Sequence, residues 1–223
     1  NLPDLYTNNF ESNADDWLIG DSSDTATAGI WELAEPAATY DDENNQIQPG
    51  EDYSDNGTFC FITGNGVDAS NGGFDDVDGG KTTLYSPEFN LSGLDEVILT
   101  YWRWYTNNVG DNGNTDKWIV SVTNNGNIWT DLENTTSSNT SWEKQRFILS
   151  DYINFGETMQ FRFIAEDIAY NGDDGSGGSL VEAAIDDFSI EYISENANIP
   201  GDVNNDSNVV IIDVVLVVNM ILG

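Results

Sequence analysis

The amino-acid sequence predicts an all-β protein: a two-sheet antiparallel jelly-roll sandwich with a short C-terminal calcium loop and one helix or strand. Three observations predict it. Short apolar and aromatic runs alternate with polar residues at a period of two. Turns rich in Gly, Asn and Asp punctuate those runs. No stretch of residues 1–195 carries a sustained helical period.

Taken in order, Phe59 to Thr63 is a strand stopped by Gly64-Asn65-Gly66, and within it Cys60 reads as a small buried hydrophobe. Val97 to Tyr105 is the longest strand. Alternation sets Thr100, Trp102 and Trp104 on one face and Tyr101, Arg103 and Tyr105 on the other. Trp102 and Trp104 are expected to pack in the core. The opposite set then either lines a concave face that stacks sugar rings, or covers the sheet, with Arg103 and Arg162 pairing charges. Trp118 to Val122 alternates and ends at the hairpin-type turn Asn124-Asn125-Gly126. Phe147 to Leu149, Met159 to Ala165 and Ala183 to Ile193 complete the core set. Roughly ten such strands fit a jelly roll.

Composition narrows the chemistry. The 223 residues include 40 acidic and 6 basic ones, a formal charge of −34. Nucleic acid and anionic membrane surfaces both select basic patches, so neither is an expected partner. Without histidine, histidine-based catalysis and histidine metal sites are excluded, and a single cysteine excludes an internal disulfide. Hydrophobic residues at 39% and aromatics at 12% imply a packed core rather than a disordered chain. A compact body so charged repels itself, which calls for an offsetting cation, and Asp, Asn and Gly clustered at short spacings favour Ca2+. Millimolar calcium outside cells points to an extracellular or cell-surface setting, and the start at Asn1-Leu2-Pro3-Asp4 would suit removal of a leader. No apolar run is long enough for membrane insertion.

The chain divides into a body at 1–195, a linker at 196–201 and a tail at 202–223. In the tail, Asp202, Asn204, Asp206 and Asp213 occupy loop positions 1, 3, 5 and 12, and Asn208 at position 7 offers its carbonyl. The segment GDVNNDSNVVIIDVVLVVNMILG resembles a dockerin-type calcium repeat, in which the loop leads into a helix. Ser207 stands where the turn glycine is usual and Val210 where a polar residue is, and both weaken affinity. The run from Val209 to Leu222 is apolar almost all round and must be buried. The sandwich itself, a second repeat or another molecule would do this, the last through Val209, Ile212, Val215, Leu216 and Met220. Head-to-tail contacts of that kind build a filament.

The body resembles a MAM-like jelly-roll domain of the kind appended to secreted bacterial peptidases. The likeness rests on Phe10-Glu11, Trp31-Glu32, Gly57 to Asn65, Asp76 to Pro87, Tyr101 to Tyr105 and Glu182 to Phe188. It implies a structural calcium stapling first strand to last, shared by Glu11 and Asp187 with Asp186 the lesser candidate. Separately, Asp68, Asp75, Asp76 and Asp78 crowd a Gly-rich loop and need a cation between them. Asp111, Asp116, Asp173 and Asp174 form weaker candidates. Glu166, Asp167 and Glu182 are possible acids, but nothing pairs them as glycosidase carboxylates are paired, so no catalysis is expected. The leading expectation is a non-catalytic extracellular calcium-binding structural or adhesive subunit that self-associates. The alternative is a carbohydrate- or protein-binding accessory module of a secreted hydrolase.

Overall fold

Strands with one apolar face must stack that face on another sheet, and eleven of the thirteen described strands form two such sheets. The computed structural model describes residues 4–12, 14–66, 72–73, 75–110, 112–167, 178–193, 211 and 214–216. The first half supplies β1 (Asp4–Asn8), β2 (Leu18–Ile19), β3 (Trp31–Ala34), β4 (Thr39–Tyr40), β5 (Gln46–Gln48), β6 (Cys60–Thr63) and β7 (Gly80–Tyr85). The second half supplies β8 (Val97–Thr106), β9 (Trp118–Thr123), β10 (Thr130–Thr135), β11 (Asn139–Ile148), β12 (Gln160–Asp167) and β13 (Glu182–Tyr192).

The first sheet runs β11-β8-β13-β6-β3, with β1 also on β13, and the second runs β10-β9-β12-β7-β2. The described pairings are antiparallel. The β4–β5 hairpin stands apart as a third, two-stranded unit. The sequence-predicted strands all appear, β11 extending the 147–149 segment back to Asn139. The two- and three-residue strands β2, β4 and β5 are additions too short to show alternation. In the tail, Ile211 and Val214 to Leu216 are helical, not extended.

Aromatic rings fill the space between the sheets. Phe10 meets Trp17 edge-on at 5.1 Å and Phe61 at 4.9 Å, while Tyr101 meets Phe163 at 5.2 Å. Such edge-to-face contacts suit ring quadrupoles. Here one expectation is corrected. Tyr101 and Tyr105 are fully buried between the sheets and Arg103 is 5% exposed, so this trio lines no sugar-binding face. Trp102 and Trp104 point outward instead. Trp104 joins a second small core with Cys60, Ile62 and Ala184, and Trp102 stacks on Tyr53 at 3.6 Å. Alternation tells which residues share a face but not which face is inner.

Arg103 can lie inside because Glu133 meets it there. Its guanidinium donates to Glu133 at 3.0 Å and to Glu143 at 2.8 Å. Tyr101 Oη donates to Glu133 at 2.7 Å, and Trp118 Nε1 donates to the same carboxylate. Removing one member of a buried ion pair strands the other. Arg103→Ala is expected to cost ~3–5 kcal/mol, seen as a thermal midpoint lowered by about 10 °C. The double variant Arg103→Met/Glu133→Leu should recover part of the loss. A wild-type melting curve for Arg103→Ala would refute this account.

Candidate functional site

Pairing across the second sheet sets Leu18, Tyr85, Arg162, Ser121 and Asp131 in one row on its outer face. The Arg162 guanidinium lies 4.3 Å above the ring of Trp129, which precedes β10. Tyr85 approaches the same indole at 5.8 Å, tilted by 53°. Cation–π contact and ring packing thus hold Trp129 in place. The polar groups are also tied. Tyr85 Oη donates to Asp21 at 2.7 Å, Arg162 Nε to Ser121 at 3.4 Å, and Ser121 Oγ to Asp131 at 2.9 Å. Burial and the bond to Asp21 push the Tyr85 phenol up to about 12. Hydrogen bonds from Ser23 and then Tyr85 hold Asp21 well below the usual carboxylate range. Leu18 and Ile128 stand exposed nearby in sequence, at 59% and 71%. The result is an aromatic surface ringed by oriented donors and acceptors, which suits a ligand with one apolar face and several hydroxyls.

A second site forms on β13. This strand pairs with β6 through Ala184 and Ile185 and with β1 from Phe188 onward. Between the two contacts its ladder with β8 is bulged and Asp187 adopts φ of 47°, the left-handed region that non-glycine residues rarely occupy. The bulge turns both acids toward the 52–59 loop. Asp186 Oδ2 accepts from the Tyr53 and Ser54 amides at 2.9 and 3.2 Å, and Asp187 Oδ1 from Ser54 Oγ at 2.8 Å. Glu11, just past β1, accepts from the Thr58 and Phe59 amides at 2.7 Å each. The expected pair Glu11 and Asp187 therefore grips one loop. Asp52 in that loop was not foreseen. Burial, then the charges of Glu11 and Asp187, push its carboxyl up, and Asp52 Oδ2 is buried with no hydrogen-bond partner among the described residues. Its own stretch, Gly50-Glu51-Asp52-Tyr53-Ser54-Asp55-Asn56-Gly57, carries the same Asp/Asn/Gly signal that marked the other loops. An orphaned carboxylate oxygen beside two further carboxylates fits a hard cation.

Of the Gly-rich loop acids, Asp75 and Asp78 are half-buried and Asp76 is 2% exposed. Burial, then Asp78 and Asp167, push the Asp76 carboxyl up to about 8. Asp167 and Glu182 are also enclosed, with Thr63 Oγ1 donating to Glu182 at 3.2 Å. Burial, then Asp76, raise the Glu182 carboxyl strongly. These two acids thus join the loop group. Asp116 is buried. Asp68, Asp111, Asp173 and Asp174 lie outside the described residues, as do Asp202, Asn204, Asp206, Asn208, Val209, Ile212, Asp213 and Met220. Among the described residues no three Asp, Glu or Cys side chains form a ready-made metal cage, so carbonyls or water would have to complete either site. No described helix is long and apolar enough to cross a membrane.

No protein-family model matches the sequence, and no curated protein does. Solved structures share the fold. The cleaved adhesin domain of Lys-gingipain from Porphyromonas gingivalis superposes with a TM-score of 0.51 at 13% identity, over 85% of this chain and 98% of that one. A family 22 xylan-binding domain of Paenibacillus barcinonensis gives 0.45 at 10% identity, over 86% and 96%. A family 61 module in complex with β-1,4-galactotriose gives 0.41 at 14%, over 79% and 88%. At such identities the likeness shows the jelly-roll sandwich alone and carries nothing on the MAM-like assignment or the calcium repeat.

The buried acids make a pH prediction. Asp186, pushed up to about 7 by burial, and Asp76, up to about 8, keep protons in the folded chain that the unfolded chain releases near 3.8. The folded state binds more protons between those limits, so stability falls as pH rises through them. In a chelator, the thermal midpoint should drop steadily from pH 5 to pH 8, and Asp186→Asn should flatten the slope. A pH-independent midpoint in chelator would overturn the assignment.

Proposed function

We propose that this chain is a non-catalytic extracellular binding module that holds neutral polysaccharide on the outer face of its second sheet, with calcium bracing its loops. One observation carries the reading: Trp129 is fixed beneath Arg162 and beside Tyr85, two members of the row that continues to Ser121 and Asp131. A pyranose offers an apolar C–H face to an indole and equatorial hydroxyls to a guanidinium and carboxylate. The ligand is neutral because Asp21 and Asp131 border the face and the chain bears −34. The adhesin-type fold neighbour is compatible with a binding role, and the orphaned oxygen of Asp52 supports calcium between Glu11, Asp52 and Asp187.

Retention on insoluble xylan and galactan tests the reading. The wild type should be retained in calcium, and Trp129→Ala or Arg162→Ala should lose roughly tenfold in affinity with unchanged circular dichroism. An anionic polysaccharide such as alginate should not retain the chain. Wild-type protein that passes through every neutral polysaccharide would sink the proposal.

A second reading adds self-association. The helical residues Ile211, Val214 and Val215 are 78%, 58% and 51% exposed, and Leu216 is half-buried. Aliphatic side chains left in water favour a partner surface. Sedimentation velocity should show concentration-dependent growth that Val214→Asp/Val215→Asp abolishes. A monomer at every concentration would exclude a filament.

A further inference from the structure

A separate pocket lies on the opposite side of the sandwich, where the β4–β5 hairpin folds over the outer face of β8 and β11. We propose that it binds a single neutral pyranose residue, independently of the second-sheet face. Its volume is about 450 Å³ and its walls include Tyr40, Gln46, Glu51, Asp52, Trp104 and Trp142. That volume falls inside the ~300–1,000 Å³ range of small-molecule sites.

The pocket is built, not an accident of loose loops. The hairpin is pinned by Ile47, which is 1% exposed and whose carbonyl accepts from Trp104 Nε1 at 2.7 Å and from Thr106 Oγ1 at 3.1 Å. The following turn is pinned by Trp142 Nε1, which donates to the Glu51 carbonyl at 3.1 Å. Gly50 lets that turn close on Ala38, since an added Cβ there would stand 2.8 Å from the Ala38 Cβ. Both indole N–H groups are therefore committed to backbone carbonyls, leaving ring carbon to meet a ligand. The two rings are 6.3 Å apart and 73° from parallel, forming an apolar corner.

Around this corner the remaining groups are oxygen-rich. Glu51 is exposed, Asp52 and Tyr40 are half-buried, and Gln46 reaches the pocket from β5. Carboxylates accept pairs of hydroxyl protons, and charge-assisted bonds of this type are the stronger ones. The exposed Glu51 carboxylate also repels uronic acids and sulfated sugars. An aromatic cage for a quaternary ammonium needs several open ring faces around the cation. Trp104 is only 4% exposed, so the corner presents chiefly Trp142 and Tyr40. One apolar wall with acceptors beside it matches a pyranose better than a cation.

The test follows indole N–H resonances of the full chain during titration with methyl β-D-xylopyranoside, methyl β-D-galactopyranoside and methyl β-D-glucopyranoside in turn. Trp142→Phe assigns the Trp142 peak. At least one glycoside should shift that peak saturably in the wild type and in Trp129→Ala, and Glu51→Ala should weaken the response about tenfold. Glu51 is exposed, so this variant should keep its fold, verified by the unchanged Trp104 resonance. A Trp142 peak unmoved by all three glycosides at tens of millimolar, or moved by choline and by none of them, would overturn the proposal. Failure of the second-sheet reading would show instead as loss of polysaccharide retention with the Trp142 shift intact.

Discussion

Burying negative charge is the constraint around which this molecule is arranged. Asp76, Glu182 and Asp186 are buried, yet of the six basic residues only Arg103 is. Arg103 is occupied by Glu133 and Glu143. A carboxylate enclosed without a counter-charge must hold a proton, collect amide hydrogen bonds or share a cation. Asp186 shows the second solution and, with its carboxyl raised to about 7, part of the first. Asp76, raised to about 8 with Asp78 and Asp167 pressing on it, leans on the first. Calcium would be the third, acting where the other two are incomplete.

The bulge in β13 follows from the same constraint. A regular strand would alternate Asp186 and Asp187 to opposite faces. The left-handed turn at Asp187 breaks the alternation where β13 passes its edge from β6 to β1, and both acids bind the 52–59 loop. That loop in turn carries Tyr53 onto Trp102, and Glu51, just before it, accepts from Trp142. The acidic staple and the outer aromatic cluster are thus one structural unit, so loosening the staple should disturb the pocket as well as the strand junction.

Much of the sandwich was legible because period-two alternation is a local property. Val97 to Tyr105 and Trp118 to Val122 declared themselves as strands, and Gly126, at φ of 70°, marks the turn that was read there. The inner face of β8 was not legible. Trp outranks Arg in apolarity, yet Arg103 goes in, because Glu133, thirty positions away, supplies its partner along with bonds from Tyr101 and Trp118. Glu11 and Asp187 came from a resemblance, whereas Asp52 needed the three-dimensional loop to bring it beside them. Trp129 gave no signal either: it belongs to no alternating run, and only the register of β9, β12 and β7 sets Arg162 and Tyr85 against it.

The two outer faces differ in what covers them, and this decides what their aromatics mean. On the first sheet the residues between β3 and β6 fold back over β8, so Trp104 is enclosed and Trp102 has one ring face taken by Tyr53. At the edge of that excursion Trp142 and Tyr40 line a pocket of one-sugar size. On the second sheet no comparable excursion is described, and the row from Leu18 to Asp131 crosses five strands, with Tyr85 and Arg162 half-buried on its outer face. A row spanning a sheet accommodates a chain, while a corner under a hairpin accommodates a unit. If both faces bind, the module would hold a polysaccharide along one side and a branch or chain end on the other, with the aromatic core and the Arg103–Glu133 pair keeping the two sheets in fixed relation.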